Sequence, residues 1–130
     1  MIYYNEHDPN AVAWLHELTK QGDITNGIID GRSIEDVRSS DLEGVHQAHF
    51  FAGIGGWELA CQLARWEGPI WTASLPCQPF SVAGKRQGHE DDRHLWPVFY
   101  NLVKECRPPI IVGEQVASKA GRGWLATVQA

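Results

Sequence analysis

Residues 76–81, with the sequence PCQPFS, place a cysteine in a setting suited to nucleophilic chemistry. A proline on each side of Cys77 and Gln78 restricts the backbone and removes N–H donors, so we expect the thiol on a stiff loop. A reactive thiolate needs a depressed pKa or electropositive surroundings, and Lys85 and Arg86 are the nearest basic residues in sequence. An unreactive loop cysteine is the alternative that composition leaves open.

A carboxylate is expected to lie near this cysteine. The apolar run 70–73 predicts a short buried strand just before Cys77, and the run 110–112 predicts a buried strand that ends at Glu114. Open α/β sheets hold their sites beyond the carboxyl ends of the strands, so both side chains are expected at one edge of the sheet. A carboxyl partly screened from water has a raised pKa and can share a proton with a bound base. A solvated glutamate is the simpler alternative.

A glycine-rich turn, AGIGG at residues 52–56, separates a predicted strand at 45–51 from a predicted helix at 57–66. Such a turn lets a ligand approach the backbone and offers a helix N-terminus to polar groups. It has neither the GxGxxG spacing of a dinucleotide site nor the GK[ST] of a phosphate loop. The alternative therefore remains that this turn only packs the helix against the strand and binds no ligand.

The other candidate groups are expected to be structural. Cys61 falls in the helix predicted at 57–66, and Cys106 falls on the apolar face of another predicted helix, where free cysteine is usually a small buried hydrophobe. Segment 89–94 contains histidines and aspartates, but their spacing matches no common zinc or iron site, so no metal is expected. A thiol hydrolase that pairs Cys77 with a histidine of this segment would need a third, orienting group that the sequence does not announce.

Alternating elements predict an α/β fold with a mostly parallel sheet covered on both faces. The further predicted elements are a strand at 1–4, a helix that begins at Asp8-Pro9 and ends at Gln21-Gly22, an irregular segment at 28–44 with one short strand around Ile34, and a helix at 95–106.

The length of 130 residues fits a single domain, 1–130, and the formal charge of -5 argues against a self-sufficient clamp for nucleic acid. Three scattered cysteines favour a reducing cytosol, and no apolar run is long enough to span a membrane.

Three motifs together resemble the cytosine-5 DNA methyltransferases. FAGIGG at 51–56 is similar to the cofactor motif of that family, PCQPFS to its catalytic cysteine loop, and Glu114-Gln115-Val116 to its Glu-Asn-Val motif. Segment 83–96 resembles the mobile segment that closes over DNA. The resemblance implies an incomplete, Rossmann-like methyltransferase fold that uses S-adenosylmethionine and acts on double-stranded DNA, in the cytoplasm of a prokaryotic or phage-infected cell.

The resemblance also implies roles for individual residues. Cys77 would add to carbon 6 of a flipped-out cytosine, and Glu114 would hold the base through ring nitrogen 3 and the exocyclic amine. The residues implied to contact the DNA or shape its loop are Pro76, Gln78, Ser81 and Arg93. Those implied to line the cofactor pocket are Phe51, Ala52, Gly53, Ile54, Gly55 and Gly56, with Glu6 and Pro76.

The chain departs from the family pattern in three ways. His49 stands where the family usually has an aspartate. Segments 5–9 and 33–37 resemble the second and third family motifs yet precede the first, which predicts a permuted order and places Glu6 to bind the cofactor ribose or, alternatively, solvent. No counterpart of the later arginine motif or of a target-recognition domain follows. We therefore expect a fragment of a longer protein, a catalytic core that needs a second chain for target recognition, or a non-catalytic cofactor-binding or protein-binding remnant.

Overall fold

The computed structural model describes residues 1–75 and 95–115, which form a parallel sheet with helices on both faces. The predicted cysteine loop and the segment after Gln115 lie outside these residues. In chain order the elements are β1 (Ile2–Asn5), α1 (Pro9–Gln21), β2 (Ile28–Asp30), 3-10 turns at Ile34–Asp36 and Ser39–Leu42, β3 (Gln47–Phe50), α2 (Gly56–Leu63), β4 (Ile70–Ser74), α3 (Leu95–Cys106) and β5 (Ile111–Glu114).

The five strands lie in the order β2-β1-β3-β4-β5, and every neighbouring pair is parallel. The predicted α/β class with a mostly parallel sheet is thus confirmed. If β3, the strand before the glycine turn, is counted as the first strand, the spatial order is the 3-2-1-4-5 of doubly wound folds. The chain visits these positions in a permuted sequence, which agrees with the permuted motif order.

Alternating side chains from the central strands supply a core on each face of the sheet. On one face Tyr3, Phe50 and Trp71 pack against Phe99 of α3, with the rings of Phe50 and Phe99 centred 5.2 Å apart. On the other face Tyr4 packs with three residues from α1 and the flanking turns. That second cluster consists of Tyr4, Leu15, Ile24 and Ala52.

Local sequence signals account for the ends of α1. The Asp8 side chain accepts a hydrogen bond from the Asn10 N–H at 3.0 Å, and Pro9 occupies the first turn. Gly22 closes the helix in the left-handed region, with φ of 83°. These observations confirm the predicted start and end of α1. Both ends were predictable because an N-cap residue, a proline at the first helical position and a C-terminal glycine are local signals.

Two predicted elements differ from the structure. No strand forms around Ile34 in the described residues: the strand of that segment is β2, at Ile28–Asp30, whereas the Ser33 side chain caps a 3-10 turn at Ile34–Asp36. The helix predicted to reach Trp66 ends at Leu63. Arg65 turns into the left-handed region with φ of 54°, and the Trp66 N–H bonds back to the Cys61 carbonyl at 2.9 Å.

The strand before Glu114 was predicted to be buried, and this prediction is wrong for its side chains. Ile111 and Glu114 are exposed and Val112 is half-buried. β5 pairs only with β4 in the described sheet, so it is an edge strand, and the β4 residues Trp71 and Ala73 take the covered positions instead. Within the described ranges, no helix combines the length and apolar character needed to cross a membrane.

Candidate active site

The glycine turn leaves the carboxyl end of β3 through a series of left-handed residues. Phe51, Gly53 and Gly55 have φ of 52°, 57° and 82°. The turn is tied to the neighbouring strand, because the Ala52 N–H bonds to the Asn5 carbonyl at 3.0 Å. Phe51 is a bulky residue in a conformation that costs of order 1–3 kcal/mol, and such strain clusters at functional sites.

The glycines of this turn serve two purposes. A Cβ on Gly55 would meet Ile24 Cδ1 at 3.1 Å and Leu15 Cδ2 at 3.3 Å, so Gly55 is needed for packing. A Cβ on Gly53 or Gly56 would meet nothing within 4 Å. These two positions therefore leave open space against the backbone, where a ligand can approach closely.

Glu6 joins the end of β1 to the glycine turn. Its Oε1 accepts a hydrogen bond from the Gly53 N–H at 2.7 Å, and its Oε2 accepts one from the Asp8 N–H at 2.9 Å. The sequence placed Glu6 near the cofactor motif, and the structure brings it into direct contact with that motif. An ionised carboxylate has about four acceptor positions, so these two bonds leave capacity for a ligand hydroxyl.

One pocket of about 400 Å³ lies at the carboxyl edge of the sheet and connects the glycine turn to Glu114. Its lining residues are Phe51, Ala52, Gly53, Ile54, Gly56, Trp57, Ser74 and Glu114. The parallel register places Ser74 of β4 directly beside Glu114 of β5. Two features predicted separately from the sequence, the cofactor motif and the strand-end glutamate, therefore share one cavity.

Trp57 and Ser74 are pocket residues that the sequence analysis missed. The Trp57 indole Nε1 donates a hydrogen bond to Ser74 Oγ at 2.8 Å, and Ser74 Oγ donates to Glu114 Oε1 at 3.4 Å. Trp57 directly follows the second glycine of the GG pair, which was a usable signal for a pocket residue. The pairing of Ser74 with Glu114 depends on strand register over 40 residues, which local sequence does not reveal.

Five predicted site residues lie outside the described part of the chain, so their positions stay predictions. They are Pro76, Cys77, Gln78, Ser81 and Arg93. The 89–94 segment, which was expected to bind no metal, also lies outside the described residues. Leu75, buried at the end of β4, is the last described residue before the cysteine loop.

His49, which replaces the usual aspartate, is not among the residues that line this pocket. Its Nδ1 lies 2.7 Å from Thr72 Oγ1, and its Nε2 lies 3.3 Å from Glu58 Oε1 of α2. Burial of Glu58 raises its pKa, but the His49 ring and hydrogen bonds from Thr25 outweigh burial, so the net pKa is lowered. Burial and the adjacent Glu58 raise the pKa of the Cys61 thiol. The Cys61 side chain is buried, as predicted, whereas Cys106 is only half-buried.

The described residues form a Rossmann-like α/β domain with a pocket at the carboxyl edge of its sheet, where such folds hold their ligands. Residues 62–119 match the family C-5 cytosine-specific DNA methylase. The chain is 48% identical over 47 residues to the type II methyltransferase M.NgoMIV of Neisseria gonorrhoeae, covering 36% of this chain and 15% of that protein. It is 42% identical over 41 residues to the type II methyltransferase M.AplI of Arthrospira platensis, covering 32% of this chain and 12% of that protein.

These matches agree with the resemblance of the motifs to the cytosine-5 DNA methyltransferases. The aligned segments span less than a fifth of the length of either relative. No solved structure matches the chain significantly.

Proposed function

We propose that the chain is the catalytic core, domain 1–130, of a DNA cytosine-5 methyltransferase that uses S-adenosylmethionine. The observation that carries this proposal is the shared pocket, in which the glycine turn and Glu114 line one cavity of about 400 Å³. A methyl donor and a base must lie side by side for methyl transfer, so a binding turn and a base-holding carboxylate belong in one cavity.

The residues around the pocket fit the cofactor. The open space at Gly53 and Gly56 accommodates a group that lies against the backbone, and the Trp57 indole supplies an aromatic wall. The Glu6 carboxylate beside Gly53 is placed to accept hydrogen bonds from ribose hydroxyls. When bound, the cofactor supplies an electrophilic methyl group on a sulfonium centre.

Cys77 is proposed as the nucleophile. Its thiolate adds to carbon 6 of the flipped cytosine, which moves electron density onto carbon 5, the atom that is methylated. Loss of the carbon 5 proton then re-forms the ring double bond and expels the thiolate. Cys77 follows Ser74 by only three residues, which span at most about 11 Å, and this short separation supports the proposal that Cys77 serves the same pocket.

Glu114 is proposed to hold the base and to stabilise the charge that develops on it. Its position beside Ser74, at the carboxyl edge, suits a group that must reach ring nitrogen 3 and the exocyclic amine. The hydrogen bond from Ser74, itself held by the Trp57 indole, orients the Glu114 carboxylate. Ser74 and Trp57 are therefore positioning residues rather than catalytic residues.

The test is covalent trapping on duplex DNA that carries 5-fluorocytosine in place of cytosine. Fluorine at carbon 5 blocks the elimination step, so the Cys77 adduct persists. We expect a protein–DNA band that survives denaturing electrophoresis and requires S-adenosylmethionine. Cys77→Ser must abolish this band, whereas the matched variant Cys106→Ser must keep it.

Because target recognition is expected from outside this chain, trapping is measured on the chain alone and on a preparation that also contains the target-recognition part, as a second chain or as the rest of the gene product. Absence of an adduct in both preparations would overturn the proposed reaction. Binding of S-adenosylhomocysteine without an adduct in either preparation would favour a non-catalytic cofactor-binding role instead.

A further inference from the structure

A second cluster of reactive side chains lies between β3 and α2, the two elements that the glycine turn connects, and none of its residues lines the proposed active site. His49 of β3 meets Glu58 and Cys61 of α2, and the potential ligand atoms of these three residues lie within 4.8 Å of one another. All three side chains are buried, with exposed fractions of 1%, 2% and 6%. A spacing of three residues on α2 places Glu58 and Cys61 on the same helix face.

Two atoms of this cluster are unsatisfied. Within the described residues, His49 Nε2 and Glu58 Oε1 lie 3.3 Å apart, yet neither atom makes a hydrogen bond of acceptable geometry. Buried polar atoms without a partner are rare and costly, so each one requires a physical explanation. The Cys61 sulfur belongs to the same cluster, in which the potential ligand atoms lie within 4.8 Å of one another.

We propose that His49, Glu58 and Cys61 form a binding site for a zinc ion. Imidazole, carboxylate and thiolate are the ligands that zinc prefers, whereas magnesium and calcium avoid sulfur. In a tetrahedral zinc site with bonds of about 2.0 Å, ligating nitrogen and oxygen atoms lie about 3.3 Å apart. The observed separation of His49 Nε2 and Glu58 Oε1 is 3.3 Å.

The surroundings of the cluster support an ion at this position. Thr72 Oγ1 contacts His49 Nδ1 at 2.7 Å, which fixes the ring and leaves Nε2 for a metal, as outer-shell partners of histidine ligands do. A zinc ion bound by one thiolate and one carboxylate carries no net charge, so it suits a buried site. On binding, the Cys61 thiol loses its proton to solvent as the zinc–sulfur bond forms.

An entry route is present. A pocket of about 660 Å³ opens at the amino edge of the sheet, and its lining includes Thr25, Glu58 and Cys61. Water from this pocket can supply the fourth ligand of a tetrahedral site. The glycine turn connects β3 to α2. A zinc ion bound by residues of both elements would therefore cross-link them and restrict the turn between them.

Zinc binding is tested on the metal-free chain by equilibrium dialysis with ZnCl2 followed by elemental analysis. We expect one zinc ion per chain and a rise in Tm of about 5 °C in the presence of excess zinc. Replacement of zinc by cobalt should give a sulfur-to-cobalt charge-transfer band in the near ultraviolet. Cys61→Ser should abolish that band and lower the zinc affinity at least tenfold.

Cys106→Ser and Cys77→Ser are the matched controls, because both remove a thiol from outside the cluster. Each should keep the cobalt band and the zinc stoichiometry. His49→Gln and Glu58→Gln test the other two ligands, with circular dichroism to check that the variants fold. Absence of stoichiometric zinc, or a cobalt band that survives Cys61→Ser, would overturn the proposal and leave a buried histidine–glutamate pair. The result does not depend on methyltransferase activity.

Discussion

The carboxylate of Asp30, the last residue of β2, is held by two residues. Tyr3 donates its hydroxyl proton to Asp30 Oδ2 at 2.6 Å, and the Arg32 guanidinium contacts the same oxygen at 2.7 Å. The hydrogen bond from Arg32, with further contributions from Tyr3, lowers the pKa of Asp30 from 3.8 to about 2, although burial opposes the shift. Burial, together with the hydrogen bond to Asp30, raises the pKa of Tyr3. These bonds attach β2 to β1 beside the proposed cofactor edge.

Asp30→Asn should therefore destabilise the fold in a pH-dependent way. Because the folded pKa of Asp30 lies below its ordinary value, its contribution is complete above about pH 4 and disappears as the pH falls through about 2. We expect Asp30→Asn to lower the free energy of unfolding by about 2 kcal/mol at pH 6, and by progressively less as the pH approaches 2. Urea denaturation at a series of pH values measures this difference.

Asp36→Asn serves as the control for that experiment, because Asp36 is an exposed aspartate of the same connection. It should change the free energy of unfolding by less than about 0.5 kcal/mol at every pH. A constant difference between wild type and Asp30→Asn from pH 6 to pH 2 would contradict the assigned pKa.

At the scale of elements, two neighbouring residues of the glycine turn have different roles: one is needed for packing, and the other leaves room for a ligand. Gly55 has φ of 82° and faces the side chains of Leu15 and Ile24, whereas Gly56 begins α2 and faces open space. Added methyl groups at the two positions should therefore have different consequences.

Gly55→Ala should lower the free energy of unfolding by about 2 kcal/mol, because alanine is strained at positive φ and its methyl group crowds Ile24. Gly56→Ala should leave stability unchanged or raise it by about 0.5 kcal/mol, since alanine favours the helix. The same Gly56 methyl group enters the proposed cofactor pocket and should weaken S-adenosylhomocysteine binding at least tenfold. Urea denaturation and isothermal titration calorimetry measure the two effects.

A Gly56→Ala variant that binds S-adenosylhomocysteine as tightly as wild type would place the cofactor elsewhere. If Gly56→Ala lowers the free energy of unfolding as well as the affinity for S-adenosylhomocysteine, Gly56 has a packing role instead.

The sequence predicted elements wherever a local signal was strong. Asp8, Pro9 and Gly22 mark α1 directly, and the apolar run 70–73 marks β4. β2 was missed because its three residues are fixed by pairing with β1 and not by a local pattern. The approach of Glu114 to the glycine turn was inferred from strand ends alone, but the intervening Trp57–Ser74 bridge depends on side-chain packing across the sheet.

At the scale of the whole molecule, the spatial order of the strands is more informative than their order along the chain. β3 lies at the centre of the sheet with β1 on one side and β4 on the other, so the ends of three strands meet beside the glycine turn. Glu6, Gly53 and Ser74 reach this edge from different strands or their following turns. The permuted chain thus builds the same arrangement of strand ends as an unpermuted doubly wound sheet.

The chain alone should bind DNA weakly and with little dependence on salt. It has 11 basic and 16 acidic residues, a formal net charge of -5, so few phosphate contacts can form unless they are concentrated near the cysteine loop at Lys85 and Arg86. With about two phosphate contacts, the affinity for a duplex should fall about tenfold between 50 and 200 mM salt, whereas six to ten contacts would cost about 10³ to 10⁵. Fluorescence anisotropy of a labelled duplex measures this slope.

The location of the phosphate contacts is tested by removing single positive charges. Arg86→Ala should weaken DNA binding and flatten the salt dependence, because Arg86 follows the proposed nucleophile by nine residues. Lys20→Ala is the matched control: Lys20 lies in the last turn of α1, which runs back from the carboxyl edge, and its loss should leave the slope unchanged. A thousandfold loss of affinity over the same salt range would mean that the chain carries its own phosphate clamp, and that a second chain is not needed to hold the duplex.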